Sequence, residues 1–289
     1  MKLRSAWLSA ALFISMAVAA VAPASAESIL DKVKQAGVVR IGTGNDTPPM
    51  NYLDDAGKWT GFDVDLGVEI GKRLGVKVER VAVNNKTRIA FLANGQIDMA
   101  LSNISRTLSR EEQIDFVDPP YLFTAKVFYA KKGRFTTLAQ LGGKQIGVNQ
   151  GSNAFTAAPV ELAKYSAVAP QILSFQKNAE CFLALKQGKI DAFTQDSPIV
   201  AAVVGAEGSD FEAVGSGYSP GLYSIGVPQN DSRWRYAVSV ALQSVIKDGT
   251  YERLYQSWFG PKGKYPLPLN ARPRLPPDVF GEMLMVWPD

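Results

Sequence analysis

Two separated stretches of the chain spell the same local structure. Leu92-x-Asn94-Gly95-Gln96-Ile97-Asp98 and Leu185-x-Gln187-Gly188-Lys189-Ile190-Asp191 each read as the end of an amphipathic helix, a glycine stop and the start of an apolar strand. A chain that repeats this unit needs two similar α/β halves. Carrying the register forward places Asn103 opposite Asp196, each just past the C-terminal end of a strand. In open parallel sheets ligands bind at those ends, so two facing halves would bring Asn103 and Asp196 to one cleft. The plain alternative is that Gly-x-Ile-Asp is only a frequent helix-to-strand turn.

The rest of the chain fits the first reading. Helices are expected over 27–37, 62–74, 86–93, 138–141, near 153, over 178–186, from 196, and over 232–246 and 250–258. In the longest of the early ones, Phe62, Leu66, Ile70 and Leu74 recur every fourth residue, and Gly75 stops it. Strands are expected over 38–42, 76–83, 97–101, 121–131, 145–148, 172–175 and 190–194, with a hairpin turning at 54–57. Alternating strands and helices imply largely parallel sheets with helices on both faces. The run YLFTAKVFYAK at 121–131 reads as a crossover into a second lobe, and 223–228 as the return. The organisation expected is residues 1–26 as a leader, 27–122 plus 224–262 as lobe 1, and 123–223 as lobe 2. Residues 263–289 are expected as a proline-rich extension packed on lobe 1, with a short helix over 278–286.

Composition narrows the function. With 46% hydrophobic and 20% charged residues the chain is of the globular class. Its leader, MKLRSAWLSAALFISMAVAAVAPASA, has a basic start, an apolar run and small residues at Ala24 and Ala26, which is a secretory signal peptide; an uncleaved anchor is the alternative. The formal charge is +4, and since Lys2 and Arg4 fall in that acid-free leader the remainder carries +2, too little to argue for nucleic acid. The absence of histidine removes the commonest metal ligand and general base, so no metal or cofactor is expected. The lone Cys181 reads as a packing residue within a helical pattern.

The stretch LSNISRTLSREEQIDFVDPPY at 101–121 carries the most chemistry. Ser109 and Glu112 have the spacing of a capping box, which predicts a helix beginning at Arg110 and puts its guanidinium beside unsatisfied backbone N–H groups. A cation with free N–H groups makes an anion site, and the donor fork of arginine suits a carboxylate. The alternative is an exposed first-turn arginine with no ligand.

This stretch resembles the ligand loop of the family 3 extracellular solute-binding proteins, with Ser105, Arg110, Asp115-Phe116 and Pro120-Tyr121 as the marks. GFDVDL at 61–66 and YERLYQSWFG at 251–260 are similar to two further family markers. The resemblance is to the glutamate/aspartate/glutamine-type branch. It implies a type II periplasmic-binding-protein fold: two α/β lobes, each a mostly parallel sheet with flanking helices, joined by two hinge crossovers. It implies a soluble, monomeric periplasmic receptor that captures an amino acid between closing lobes. The receptor would deliver it to an inner-membrane permease with a cytoplasmic ATPase. By the resemblance, Arg110 takes the α-carboxylate, helped by Ser105 and the backbone near Asn103. Asp196 takes the α-ammonium, its alternative being a mere helix cap, and Ser152-Asn153 form a second carboxylate clamp. Asn45, Thr47, Asn85 and Arg88 are side-chain pocket candidates, Arg88 having a solvated helix position as its alternative. The acidic-ligand branch carries an arginine where this chain has Gly44, so the ligand expected is a polar amino acid: Gln, Asn, Glu or Asp.

Three rivals remain at this level. One is an enzyme similar to the cyclohexadienyl or arogenate dehydratases on the same scaffold, with Glu180 as the available acid. Another is a receptor serving a sensor partner. The third is a receptor for a metabolite other than an amino acid, against which the retention of Asp196 argues, because a ligand without an ammonium would leave that carboxylate unpaired.

Overall fold

The computed structural model describes residues 27–267. The expected leader at 1–26 and the expected helix at 278–286 lie outside the described residues. The chain runs α1 (Ile29–Ala36), β1 (Val38–Thr43), β2 (Asp46–Thr47), β3 (Asn51–Leu53), β4 (Trp59–Thr60), α2 (Phe62–Leu74), β5 (Lys77–Ala82), α3 (Arg88–Ala93), β6 (Met99–Ala100), α4 (Leu108–Glu111) and β7 (Asp115–Phe116). It continues through β8 (Leu122–Lys131), β9 (Gln145–Asn149), α5 (Ala154–Leu162), β10 (Gln171–Phe175), α6 (Asn178–Lys186), β11 (Ala192–Asp196), α7 (Ser197–Val204), β12 (Phe211–Tyr223), β13 (Gly226–Val227), α8 (Ser232–Lys247) and α9 (Thr250–Phe259).

Two five-stranded sheets form two lobes. The first has the order β5-β1-β6-β13-β7 and the second β10-β9-β11-β8-β12. Each has three parallel strands in the same relative order, followed by two strands in antiparallel pairings. The sheets are therefore mixed. β8 leads out of the first lobe and β12 leads back, and they pair antiparallel from Leu122↔Tyr223 to Lys131↔Phe211.

Local sequence explains most boundaries. α1 is capped by the Ser28 side chain and stopped by Gly37 in the left-handed region. α2 ends at Gly75 in the same conformation. Its apolar stripe, Phe62, Leu66 and Ile70, packs fully buried with Tyr121, Trp234, Tyr251 and Phe259 in one core. That core ties α2 to α8 and α9, so the two ends of the described residues meet in lobe 1. Residues 263–265 turn back on α9, Lys264 N–H donating to the Ser257 carbonyl and Tyr265 stacking on Trp258. Lobe 2 has its own cores on the two faces of its sheet, one around Phe128, Ile146 and Tyr218, the other around Cys181, Phe193 and Phe211.

One expectation needs correction, and one strand is added that no local pattern announced. The helix after Thr107 starts at Leu108, not Arg110, with Thr107 at the N-cap, and Ser109 makes no capping contact to Glu112. Arg110 therefore lies in the last turn, its own N–H already donated to the Thr107 carbonyl. And the segment 211–223, GlySer-rich and interrupted by Pro220, forms the longest strand among the described residues. It is held by its partner β8 and not by its own propensity.

Candidate functional site

The floor of the lobe-1 side is organised by Asp63. This residue enters in the first turn of α2 and is fully buried. Its carboxylate accepts hydrogen bonds from Asn51 Nδ2 (2.6 Å), the Asn103 backbone N–H (2.6 Å) and the Tyr121 hydroxyl (3.0 Å). Burial nonetheless dominates those three donors and pushes the carboxyl up to about 7. The arrangement holds Asn103 at φ 39°, a left-handed conformation that asparagine tolerates, and Asn51 Nδ2 also reaches Asn103 Oδ1 at 3.1 Å. Asn51 further explains Gly44. A β-carbon there would overlap the Asn51 side chain, so an arginine at this place would have to displace Asn51 from its bonds to Asp63 and Asn103.

Two arginines face this floor. Arg88 is buried, not solvated: Nη1 donates to the Ser102 carbonyl at 2.6 Å, and Nε has no partner among the described residues. Burial, then the neighbouring Arg110, lowers its guanidinium to about 9. Arg110 Nη1 donates to the Ser105 carbonyl (2.7 Å) and Nη2 reaches across to the Gly151 carbonyl in lobe 2 (3.4 Å). Burial lowers its pKa and the nearby Asp196 opposes that shift.

Asp196 stands at the end of β11 in the N-cap position of α7, but its side chain does not cap the helix. It accepts instead from the Tyr223 hydroxyl at 2.6 Å and from Lys126 Nζ at 3.2 Å. Lys126 is fully buried and Asp196 nearly so. The Tyr223 hydroxyl also meets the Asn103 side chain, so the two strand ends matched by the sequence repeat lie either side of one phenol. A β-carbon at Gly221 would sit 3.6 Å from Asp196 Oδ1 and 3.7 Å from Ser105 Oγ. Ser105, Arg110, Asn103 and Asp196 thus converge.

Beside them lies a polar cavity of about 200 Å³, whose wall includes Gly44, Thr47, Asn51, Asn85, Asn103 and Asn149. Arg110, Asp196 and Ser105 are not part of that wall. Asn85 Nδ2 donates across the cleft to Asn149 Oδ1, which closes one end. Asn45 is exposed and not on the wall, its carbonyl accepting from Leu53 N–H. Ser152 holds a buried hydroxyl with no partner among the described residues, and Asn153 takes the N-cap of α5 without a side-chain cap bond. The residues sequence reasoning missed are Lys126, Asp63 and Tyr223. Lys126 had one signal, a lone cation inside the apolar run LFTAKVFYA.

Glu180 is exposed and accepts the Gln176 and Lys177 N–H groups as a helix cap. Burial pushes the Cys181 thiol far up, in keeping with a packing role.

The model of the bacterial extracellular solute-binding proteins, family 3, matches residues 39–261. The chain belongs to this family. Among curated relatives, the L-cystine-binding protein TcyJ of Escherichia coli K12 is 27% identical, over 86% of this chain and 95% of the relative. The lysine/arginine/ornithine-binding periplasmic protein of the same organism is 31% identical, over 76% and 87%. Among solved structures, the ancestral amino acid-binding protein AncCDT-1, a precursor of cyclohexadienyl dehydratase, superposes with a TM-score of 0.72 at 30% identity, covering 80% of this chain and 99% of that one. This family 3 protein is thus a two-lobed solute-binding protein, and the dehydratase alternative is no better supported than before.

Proposed function

We propose that this solute-binding protein captures a polar L-amino acid between its lobes and hands it to an inner-membrane permease driven by a cytoplasmic ATPase. In this reading the leader is cleaved after Ala26, the protein works as a periplasmic monomer, and the lobes divide near 122/123 and 223/224. The observation that carries the ligand class is the convergence of Arg110, from lobe 1, with Asp196, from lobe 2. A zwitterion offers the carboxylate one needs and the ammonium the other accepts, so it bridges the lobes and favours the closed state. Ser105, the Asn103 backbone and the Ser152-Asn153 turn complete the carboxylate side. Thr47, Asn85 and the buried Arg88 face the side chain, while Asn45 sits at the rim. The named ligands of the relatives, cystine and the basic amino acids, support the class.

The test is a thermal-shift panel on protein unfolded and refolded to strip carried-over ligand, with the twenty amino acids, several dicarboxylates and prephenate. A ligand at a hundred times its dissociation constant adds about 2.7 kcal/mol. A shift with one or a few amino acids is expected. A shift with prephenate or another compound and none with any amino acid would overturn the ligand class.

A further inference from the structure

Asp196 already has a cation. Lys126, with no exposed surface, sits 3.2 Å from Oδ1, and Tyr223 occupies Oδ2. The argument that a ligand without an ammonium would strand this carboxylate therefore fails, and the charge of the whole cleft has to be counted. The groups that face one another in the cleft are Lys126 and Arg88, both buried, and the half-buried Arg110, against the buried Asp63 and Asp196. At the rim, Asp46 feels Lys177 and Glu180 from lobe 2, and Lys86 joins the wall, so acids and bases there are equal in number. Arg106 is taken up by Glu111 and Asp118. This set holds one positive charge in excess, carried by the half-buried Arg110, and the raised carboxyl of Asp63 can only enlarge it. A net-neutral zwitterion leaves the excess untouched. An unbalanced charge in a desolvated site is costly.

Resting on the receptor reading above, we infer that the ligand is an amino acid of net charge −1, with two carboxylates, and that Lys126 is the residue that sets this preference. Lys126 shares Asp196 with the ligand ammonium, and the surplus cation this creates is balanced by the second carboxylate. The unpartnered Nε of Arg88 marks where buried donor capacity remains.

Calorimetric titration of the refolded protein at pH 7 tests this with near-isosteric pairs: L-glutamate against L-glutamine, and L-aspartate against L-asparagine. One member of the acid set should bind about ten-fold or more tightly than its amide, the scale of one charge interaction in a partly screened interior. 2-Oxoglutarate, with a second negative charge and no ammonium, should bind more weakly than L-glutamate. Lys126→Met should narrow the acid–amide gap to about three-fold or less, and Lys126→Arg should restore it, with circular dichroism reporting that each variant folds. Should Lys126→Met not fold, the wild-type pairs decide alone. An amide that binds as tightly as its acid, 2-oxoglutarate that binds more tightly than glutamate, or an undiminished gap in Lys126→Met overturns the inference while leaving the receptor reading standing. If no amino acid of the twenty binds, the receptor reading itself falls and takes this inference with it.

Discussion

The two lobes share a frame and differ in what they hang on it. In lobe 1, Asp98 N–H donates to the Arg40 carbonyl (2.8 Å), its carboxylate accepts the Arg40 N–H (2.7 Å), and it pairs with the Arg40 guanidinium (2.6 Å). In lobe 2, Asp191 N–H donates to the Gln145 carbonyl (2.8 Å), its carboxylate accepts the Gln145 N–H (2.9 Å), and it pairs with the Arg134 guanidinium (2.5 Å). Gly42 leaves room for the Ile97 side-chain tip just as Gly147 does for that of Ile190. A few residues further on the likeness stops. Lobe 1 follows its strand with Asn103, held by the buried carboxyl of Asp63, and adds two arginines; lobe 2 ends its strand in Asp196, held by a buried lysine. The scaffold is duplicated, but the charge is divided, cations mainly to one side and the acceptor to the other. A ligand with both signs therefore has a use for both lobes.

The largest break in this comparison should come from Asp196→Ala. Besides losing ligand binding, it strands Lys126 in the interior, and removing one partner of a buried pair costs about 3–5 kcal/mol. Urea denaturation beside calorimetry would register both losses. Arg110→Ala should separate the two effects. Its half-buried guanidinium donates only to backbone carbonyls and to no acid side chain, so binding should fall roughly a hundred-fold, about 3 kcal/mol, with unfolding midpoints little changed. Binding within three-fold of wild type would remove Arg110 from the site.

Asp63 gives a pH-dependent test. Its folded pKa, about 7, lies above the unfolded carboxylate value, so the native state binds the extra proton. The contribution of Asp63 to stability should be greatest below about pH 4 and fall as pH rises toward 7, by on the order of 3 kcal/mol. Asp63→Asn should flatten that part of the stability–pH curve; an unchanged slope would assign it to other carboxylates. The smallest effect sharpens the symmetry. Gly42→Ala and Gly147→Ala each press a β-carbon onto the tip of an isoleucine, which can shift, and each should cost about 1 kcal/mol. Unequal losses by a factor of three would mean the two frames are not equivalent.

The repeated frame was legible because it rests on short-range grammar: a glycine stop, an apolar strand, and an acid that satisfies backbone groups at the neighbouring strand's start. The same locality misplaced Arg110. Ser109 and Glu112 satisfy a capping-box spacing, but Thr107 is already in extended conformation and takes the cap position. Strand β12 was illegible because Gly215, Gly217 and Pro220 spell turns, and only pairing with β8 overrides them. The resemblance pointed to Asp196 as a ligand group, but no sequence spacing joins it to Lys126, since the pair is made by antiparallel register between β11 and β8. This buried charge pair is a product of strand pairing, and pairing between strands far apart in sequence is what local pattern does not carry.

That β8 and β12 lie side by side, bonded to each other as they pass between the lobes, has a mechanical consequence. Two separate tethers would let one lobe swivel, slide or roll against the other. A bonded ribbon is stiff within its own plane and compliant only across it, and its register slips between Val214 and Gly221, which is where compliance should concentrate. The lobes should then move like covers on a common spine: one arc, traversed in either direction, with the same faces meeting each time.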